Sequence, residues 1–227
     1  MSRSNEFGYL PDSPTQSGGN NTGVFLANDI VDLLADNKWS LQEAPALNLI
    51  QHQTASSVTS IDFSSIQGST YDYHYLTWTD IDTGIRDNSN YWNIRFKVGG
   101  TNQTSNYSYM GQALTWGSNS GQSYKDRNFY KSTGASLIRL GQVNRGYGDN
   151  DSSVDSSCNG WALISFANDS NKWTSIQTQA IGQSYATGSS PFRGVGFYMS
   201  NSAVDGFNIY MSGYTFSGEL ALYGITS

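Results

Sequence analysis

The chain is written in two-residue steps, and that period limits what it can fold into. In Phe216-Ser217-Gly218-Glu219-Leu220-Ala221-Leu222-Tyr223-Gly224-Ile225, Leu220 and Leu222 alternate with Ala221 and Tyr223. Residues two apart share one face of a strand, so this segment commits a face to a core. It is also expected to tie the end of the sequence into the fold. In Tyr91–Val98 the even positions are apolar and the odd ones mostly polar, which predicts a half-buried strand. Val195, Phe197 and Met199 alternate with Gly194, Gly196 and Tyr198, and Phe207, Ile209 and Met211 alternate with Asn208, Tyr210 and Ser212. Trp161-Ala162-Leu163-Ile164-Ser165-Phe166 is apolar on both faces and suits a central strand. Further strands are expected near 47–53, 57–63, 71–78, 106–115, 136–143, 173–182 and 213–225.

Turn strings such as Asp87-Asn88-Ser89-Asn90 and Asn168-Asp169-Ser170-Asn171 separate these segments. About ten strands at regular spacing, without helices between them, predict an all-β fold: an antiparallel β-sandwich or jelly roll, with a closed barrel as the rival. Composition agrees. With 24 Gly, 15 Tyr and 6 Trp but only 13% charged residues, the chain is rich in strand-favouring rings and turn-favouring small residues. No solenoid period or heptad stands out, which argues against a long fibrous shaft.

Charge and cysteine usage exclude several classes. A net charge of −6 is the wrong sign for wrapping nucleic acid or an anionic membrane surface. No apolar run approaches the ~20 residues that span a bilayer. The opening Met1-Ser2-Arg3-Ser4-Asn5-Glu6 lacks the apolar stretch of a signal peptide. The single cysteine, Cys158, allows no intrachain disulfide, as expected of synthesis in a reducing cytoplasm.

Residues 1–28 read as an extended N-terminal arm. Tyr9-Leu10-Pro11-Asp12-Ser13-Pro14 opposes regular structure, and Ser17-Gly18-Gly19-Asn20-Asn21-Thr22-Gly23 has the composition of a hinge. Phe7, Tyr9, Leu10, Val24 and Phe25 are its apolar pegs, expected to dock on the chain's own domain or on a neighbouring subunit. One short helix is expected at 29–39: Asn28 can cap it, Asp29 and Asp32 suit its positive end, and Asn37 can close it. The β-sandwich domain is expected over 40–227.

Reaction chemistry finds little support. Asp72 and His74 share a strand face in Tyr71–Trp78 and could form two members of a triad, but no Gly-x-Ser-x-Gly elbow accompanies them, so a polar pair near a sheet end is the simpler reading. Cys158 has no visible base beside it and reads as an inert thiol. Asp80–Asp87 and Gly148–Asp155 space carboxylates as calcium loops do, yet Val154 stands where the twelve-residue loop needs Gly. They read as plain loops, and neither a metal nor a cofactor is expected. Glu219 and Asp205 are the least loop-like carboxylates for a glycosidase pair. Binding is better motivated: Tyr107, Tyr109, Trp116, Tyr124 and Tyr147 sit in Gly/Ser/Asn-rich segments, where exposed rings could stack on a sugar or anchor an interface.

Two regions carry a family resemblance. Gly19-Asn20-Asn21-Thr22-Gly23-Val24-Phe25 through Ile30 to Lys38-Trp39, with Leu47-Asn48-Leu49-Ile50, Ile61-Asp62-Phe63 and Tyr71–Leu76, resembles the leader of virion structural proteins in tailed bacteriophages, notably phages of marine bacteria and cyanobacteria. The closing Phe216–Ile225 resembles the Ser-Gly…Leu-Tyr-Gly ending of such proteins. The resemblance implies a lectin-like β-sandwich on the virion, in a tail appendage or on the capsid surface, and it brings no catalytic residues.

Together these readings predict a non-enzymatic virion structural protein, made in the host bacterial cytoplasm. The expected form is a small trimeric tail-fibre or receptor-binding subunit, anchored to other virion proteins by its arm and displaying its sandwich to a host surface glycan. A capsid decoration protein is the alternative. A free glycan-binding module and, behind it, a glycan hydrolase are the readings of other classes.

Overall fold

The computed structural model describes residues 15–17, 20–22, 47–83, 90–119, 122–143, 157–184 and 188–225. The chain divides into two compact units, Met1–Ala44 and Pro45–Ser227. In the first, β1 (Thr15–Ser17) pairs antiparallel with β2 (Asn20–Thr22), Thr15 opposite Thr22. The hinge expected at 17–23 therefore begins as a ladder. Two residues, Gly18 and Gly19, separate the strands, a spacing and composition that suit a two-residue hairpin. The expected helix at 29–39 and the pegs Phe7, Tyr9, Leu10, Val24 and Phe25 lie outside the described residues.

The second unit is all-β and antiparallel. Its strands are β3 (Leu47–Val58), β4 (Ser60–Ser64), β5 (Tyr73–Asp82), β6 (Asn90–Val98), β7 (Thr101–Asn102), β8 (Tyr107–Asn119), β9 (Gln122–Ala135), β10 (Ile138–Val143), β11 (Cys158–Ser165), β12 (Thr174–Ser184), β13 (Gly188–Tyr198), β14 (Gly206–Met211) and β15 (Phe216–Ile225). Eight form one sheet in the order β3-β15-β5-β11-β12-β13-β8-β9. The smaller sheet runs β10-β6-β14-β4, with β7 paired to β6.

Most period-2 segments place their apolar residues as the alternation requires. The exception is 194–199, where Val195 and Phe197 face solvent and Tyr198 is buried, because the rings of Phe192 and Tyr198 take the inward positions of that strand. Leu76 and Trp78 of β5, Ala162 and Ile164 of β11, Ile176 and Ala180 of β12, and Leu220 and Leu222 of β15 are buried from the large sheet. Trp92, Ile94 and Phe96 of β6, with Phe207, Ile209 and Met211 of β14, are buried from the small one. The two sets meet face to face: the Trp78 and Trp92 rings lie 6.4 Å apart, and Trp92 meets Phe216 edge-on at 4.7 Å. Thr178 Oγ1 donates across the layers to the Leu140 carbonyl at 2.8 Å. Glycines make room for the larger rings. A Cβ on Gly160 would stand 2.6 Å from the Trp78 indole and 2.5 Å from the Gln179 carbonyl.

The β9 strand, which lies between the strands expected near 106–115 and 136–143, borders the large sheet as a fourteen-residue edge. Its Lys125, Asp126, Arg127 and Lys131 hide the alternation, since edge strands carry charge where they are open to further pairing. No helix among the described residues is long and apolar enough to cross a membrane.

Candidate functional site

The two sheets turn very different outer faces to solvent. On the small sheet Asp62 gathers the polar groups around it. Lys97 Nζ donates to Asp62 Oδ2 at 2.9 Å, Asn208 Nδ2 donates to Asp62 Oδ1 at 2.6 Å, and the Arg95 guanidinium lies 4.5 Å from the Tyr210 ring centre. Burial tends to raise the Asp62 carboxyl, but the bonds from Lys97 and Asn208 and the Lys97 charge hold it below its ordinary value.

The large sheet's outer face is built instead from apolar side chains and amides. Leu47, Leu49, Met110, Ile181, Val195 and Phe197 are all exposed there, with Met110 at 59% and Val195 at 43%. Strand register lines up one row across five strands: Thr77 opposite Trp161, then Gln179, Arg193 and Gln112. The next row runs from Tyr75 through Leu163, Gln177 and Val195 to Met110.

Trp161 organises this face. Its ring stacks on Tyr75, with centroids 5.7 Å apart and planes 30° from parallel. It borders two open grooves. One, of ≈ 500 Å³, is lined by Met110, Gln112, Gln177, Gln179, Arg193 and Val195 as well as Trp161. The other, of ≈ 330 Å³, adds Tyr75, Thr77, Thr79, Asn159 and Ile181. Local backbone geometry sets the position. The β11–β5 register shifts between Cys158 and Gly160, and Asp80, with φ 53°, donates its amide to Asn159 Oδ1 at 2.8 Å. A bulge beside a binding row re-aims the strand that carries it.

A half-buried indole resting on a second ring, flanked by three glutamine amides and a guanidinium, can stack on one apolar face and bond to hydroxyls around it. Sugars present just such alternating surfaces. The fold and this face together define an antiparallel β-sandwich with an aromatic–amide platform. No protein family and no curated protein matches the sequence. Among solved structures the chain is similar to the CBM2 module of the Lactobacillus casei BL23 phage J-1 evolved Dit, at 12% identity and a TM-score of 0.32, over 77% of this chain and 76% of that one. A likeness of that depth carries no assignment, and the site stands on its own geometry.

Of the rings expected as a binding set, the two that are described, Tyr107 and Tyr109, do not join this platform. Tyr107 is fully buried. Its hydroxyl accepts from the Phe96 amide at 2.8 Å and donates to the Gln103 carbonyl at 3.3 Å, and burial pushes its pKa up. It bonds sheet to sheet and offers nothing to a ligand. Tyr109 faces inward from the same strand, half-buried against the core. Trp116 pairs with Lys125 and Tyr124 with Gly117 in the β8–β9 ladder, but their side chains, and Tyr147 entirely, lie outside the described residues. Sequence reasoning missed Trp161, Tyr75, Gln177, Gln179, Arg193 and Gln112. The available signal was the outward half of Trp161–Phe166, read as buried because both faces are apolar.

The candidate reactive groups sit apart. His74 is fully buried, bonding through Nε2 to the Ile66 carbonyl at 2.8 Å and meeting Phe207 edge-on. Burial lowers its pKa against the opposing pulls of that carbonyl and of the Asp72 charge. Asp72 itself is exposed, so the expected polar pair becomes a core histidine tied to backbone. Burial pushes the Cys158 thiol up to about 12, so it stays protonated at neutral pH. Glu219 lies on the large sheet beside His52 at 3.6 Å, whereas Asp205 accepts from the Gly100 amide at the small sheet. Carboxylates on different sheets cannot flank one glycosidic bond. Among the described residues no group of three metal-ligating side chains occurs. The segment 148–155 and residues 84–87 of 80–87 lie outside them.

Proposed function

We propose that this chain is a non-enzymatic component of a tailed-phage virion that binds a surface glycan through the outer face of its eight-stranded sheet. The observation that carries the binding is the Trp161–Tyr75 stack set between amide-lined grooves. The virion setting rests on the resemblance of the leader and closing strand. In this reading residues 1–28 dock each copy on its neighbours, the partners being identical chains in a trimer and other virion proteins. The sandwich is displayed as a small tail-fibre or receptor-binding subunit.

A second reading, capsid decoration, is favoured by one feature. Met110, Val195 and Phe197 form an exposed apolar patch beside a ≈ 480 Å³ groove, and apolar surface of this kind also marks protein–protein contact.

The test is retention on an array of bacterial capsular and cell-wall polysaccharides. The intact chain is expected to bind a subset of them, and Trp161→Ala to bind none of that subset. Binding to no glycan, or undiminished binding by the variant, would remove the glycan reading and leave decoration as the better account.

A further inference from the structure

Resting on that glycan reading, we infer that the ≈ 500 Å³ groove takes an acidic polysaccharide, one whose sugars carry carboxylates, with Arg193 holding the acid group while Trp161 carries the neighbouring ring.

Arg193 is exposed at the centre of the groove, in register with Gln179 on one side and Gln112 on the other. No carboxylate lines this groove, and three carboxylates of the described residues are paired elsewhere: Asp62 holds Lys97, Asp169 holds Lys172, and Glu219 stands by His52. Arg193 thus lines an amide-rich groove with no acidic side chain in its lining. A planar fork matches the two oxygens of a carboxylate in a bidentate pair, which a point charge would not do.

Spacing sets the size of the ligand. Trp161 and Arg193 stand in one row two strands apart, about 10 Å at ordinary strand separation. Stacking and charge recognition thus fall on different sugar units of one chain. One guanidinium among three glutamines suits a polymer with an acid at intervals between hydroxyls, and suits densely sulfated chains poorly. Specificity must be local: a chain of net charge −6 repels polyanions at long range, so any preference for an acidic glycan has to come from a built site.

The experiment pairs each array glycan with its carboxyl-reduced counterpart, the same backbone without the acid, at 150 mM salt. The wild type, Arg193→Gln, Trp161→Ala and Lys172→Gln chains are compared, with thermal unfolding of each as a control for folding. The wild type is expected to bind the acidic form about fivefold more tightly than its reduced counterpart. Arg193→Gln should erase that preference, while Lys172→Gln, which removes a distant positive charge, should keep it. Equal binding of the two forms by the wild type, a preference that survives Arg193→Gln, or one lost equally in Lys172→Gln would overturn the inference. Binding confined to neutral glycans and abolished by Trp161→Ala would overturn it too, yet leave the glycan platform standing. Absence of any glycan binding would instead remove the platform itself.

Discussion

Tyr107 shows how one hydroxyl changes a residue's meaning. Read along the chain it is a ring in a Gly/Ser/Asn-rich segment; in the fold its oxygen joins β8 to β6 through the Phe96 amide. Removing it by Tyr107→Phe leaves a buried donor unpaired, so stability should fall by about 1–3 kcal/mol in urea unfolding, with glycan binding intact. An unchanged unfolding midpoint would contradict this role. His74 makes a pH prediction. Burial holds its imidazole below the ordinary value of 6.5, so the native state favours the neutral form. As pH drops below 6.5 the unfolded chain takes up a proton that native His74 resists, and stability falls with pH, by up to about 1.4 kcal/mol per unit. Asp62, also lowered, loses its contribution only as pH falls below its ordinary 3.8, so unfolding midpoints between pH 7.5 and 5 isolate the histidine. A flat profile over that window would contradict its neutral, buried state.

At the scale of elements, alternation was the legible signal. The closing strand, Tyr91–Val98 and the row near 207–212 became strands with the expected inward sets, whereas the row near 194–199 became a strand turned the other way, with Val195 and Phe197 outward and Tyr198 inward. Two things were hidden. The β9 edge carries too much charge to show a period, because its exposed rim must resist further pairing. In Trp161–Phe166 an apolar outer face looked like burial, since a sequence does not say whether a second layer covers that face. The glycine beside Trp161 is equally opaque in one dimension. Gly160 lies against both the Gln179 carbonyl and the Trp78 ring, and the carbonyl belongs to a neighbouring strand that cannot yield cheaply. Gly160→Ala should therefore lower stability by about 1–3 kcal/mol, seen as a lower thermal midpoint. An alanine variant as stable as the parent would show that β11 and β12 part more readily than this packing implies.

The sandwich unit as a whole is asymmetric. Its small-sheet face is closed by Lys97 and Asn208 bonding to Asp62 and by Arg95 lying over the Tyr210 ring, while the large-sheet face presents the Trp161–Tyr75 stack, glutamine amides and Arg193 to open grooves. Under the proposed function, binding belongs to the large sheet and assembly to the arm. Deleting residues 1–28 should thus lower the mass in light scattering from trimer to monomer without loss of glycan retention; a monomeric full-length chain would contradict the assembly role. Glycan binding through the Trp161 platform can be measured by calorimetry on the tightest array glycan. Trp161→Ala should weaken binding at least about tenfold, as loss of a central ring does. Trp173→Ala, which removes a ring 51% exposed outside both grooves, should bind like the parent. Equal losses in the two variants, or none in Trp161→Ala, would contradict the account.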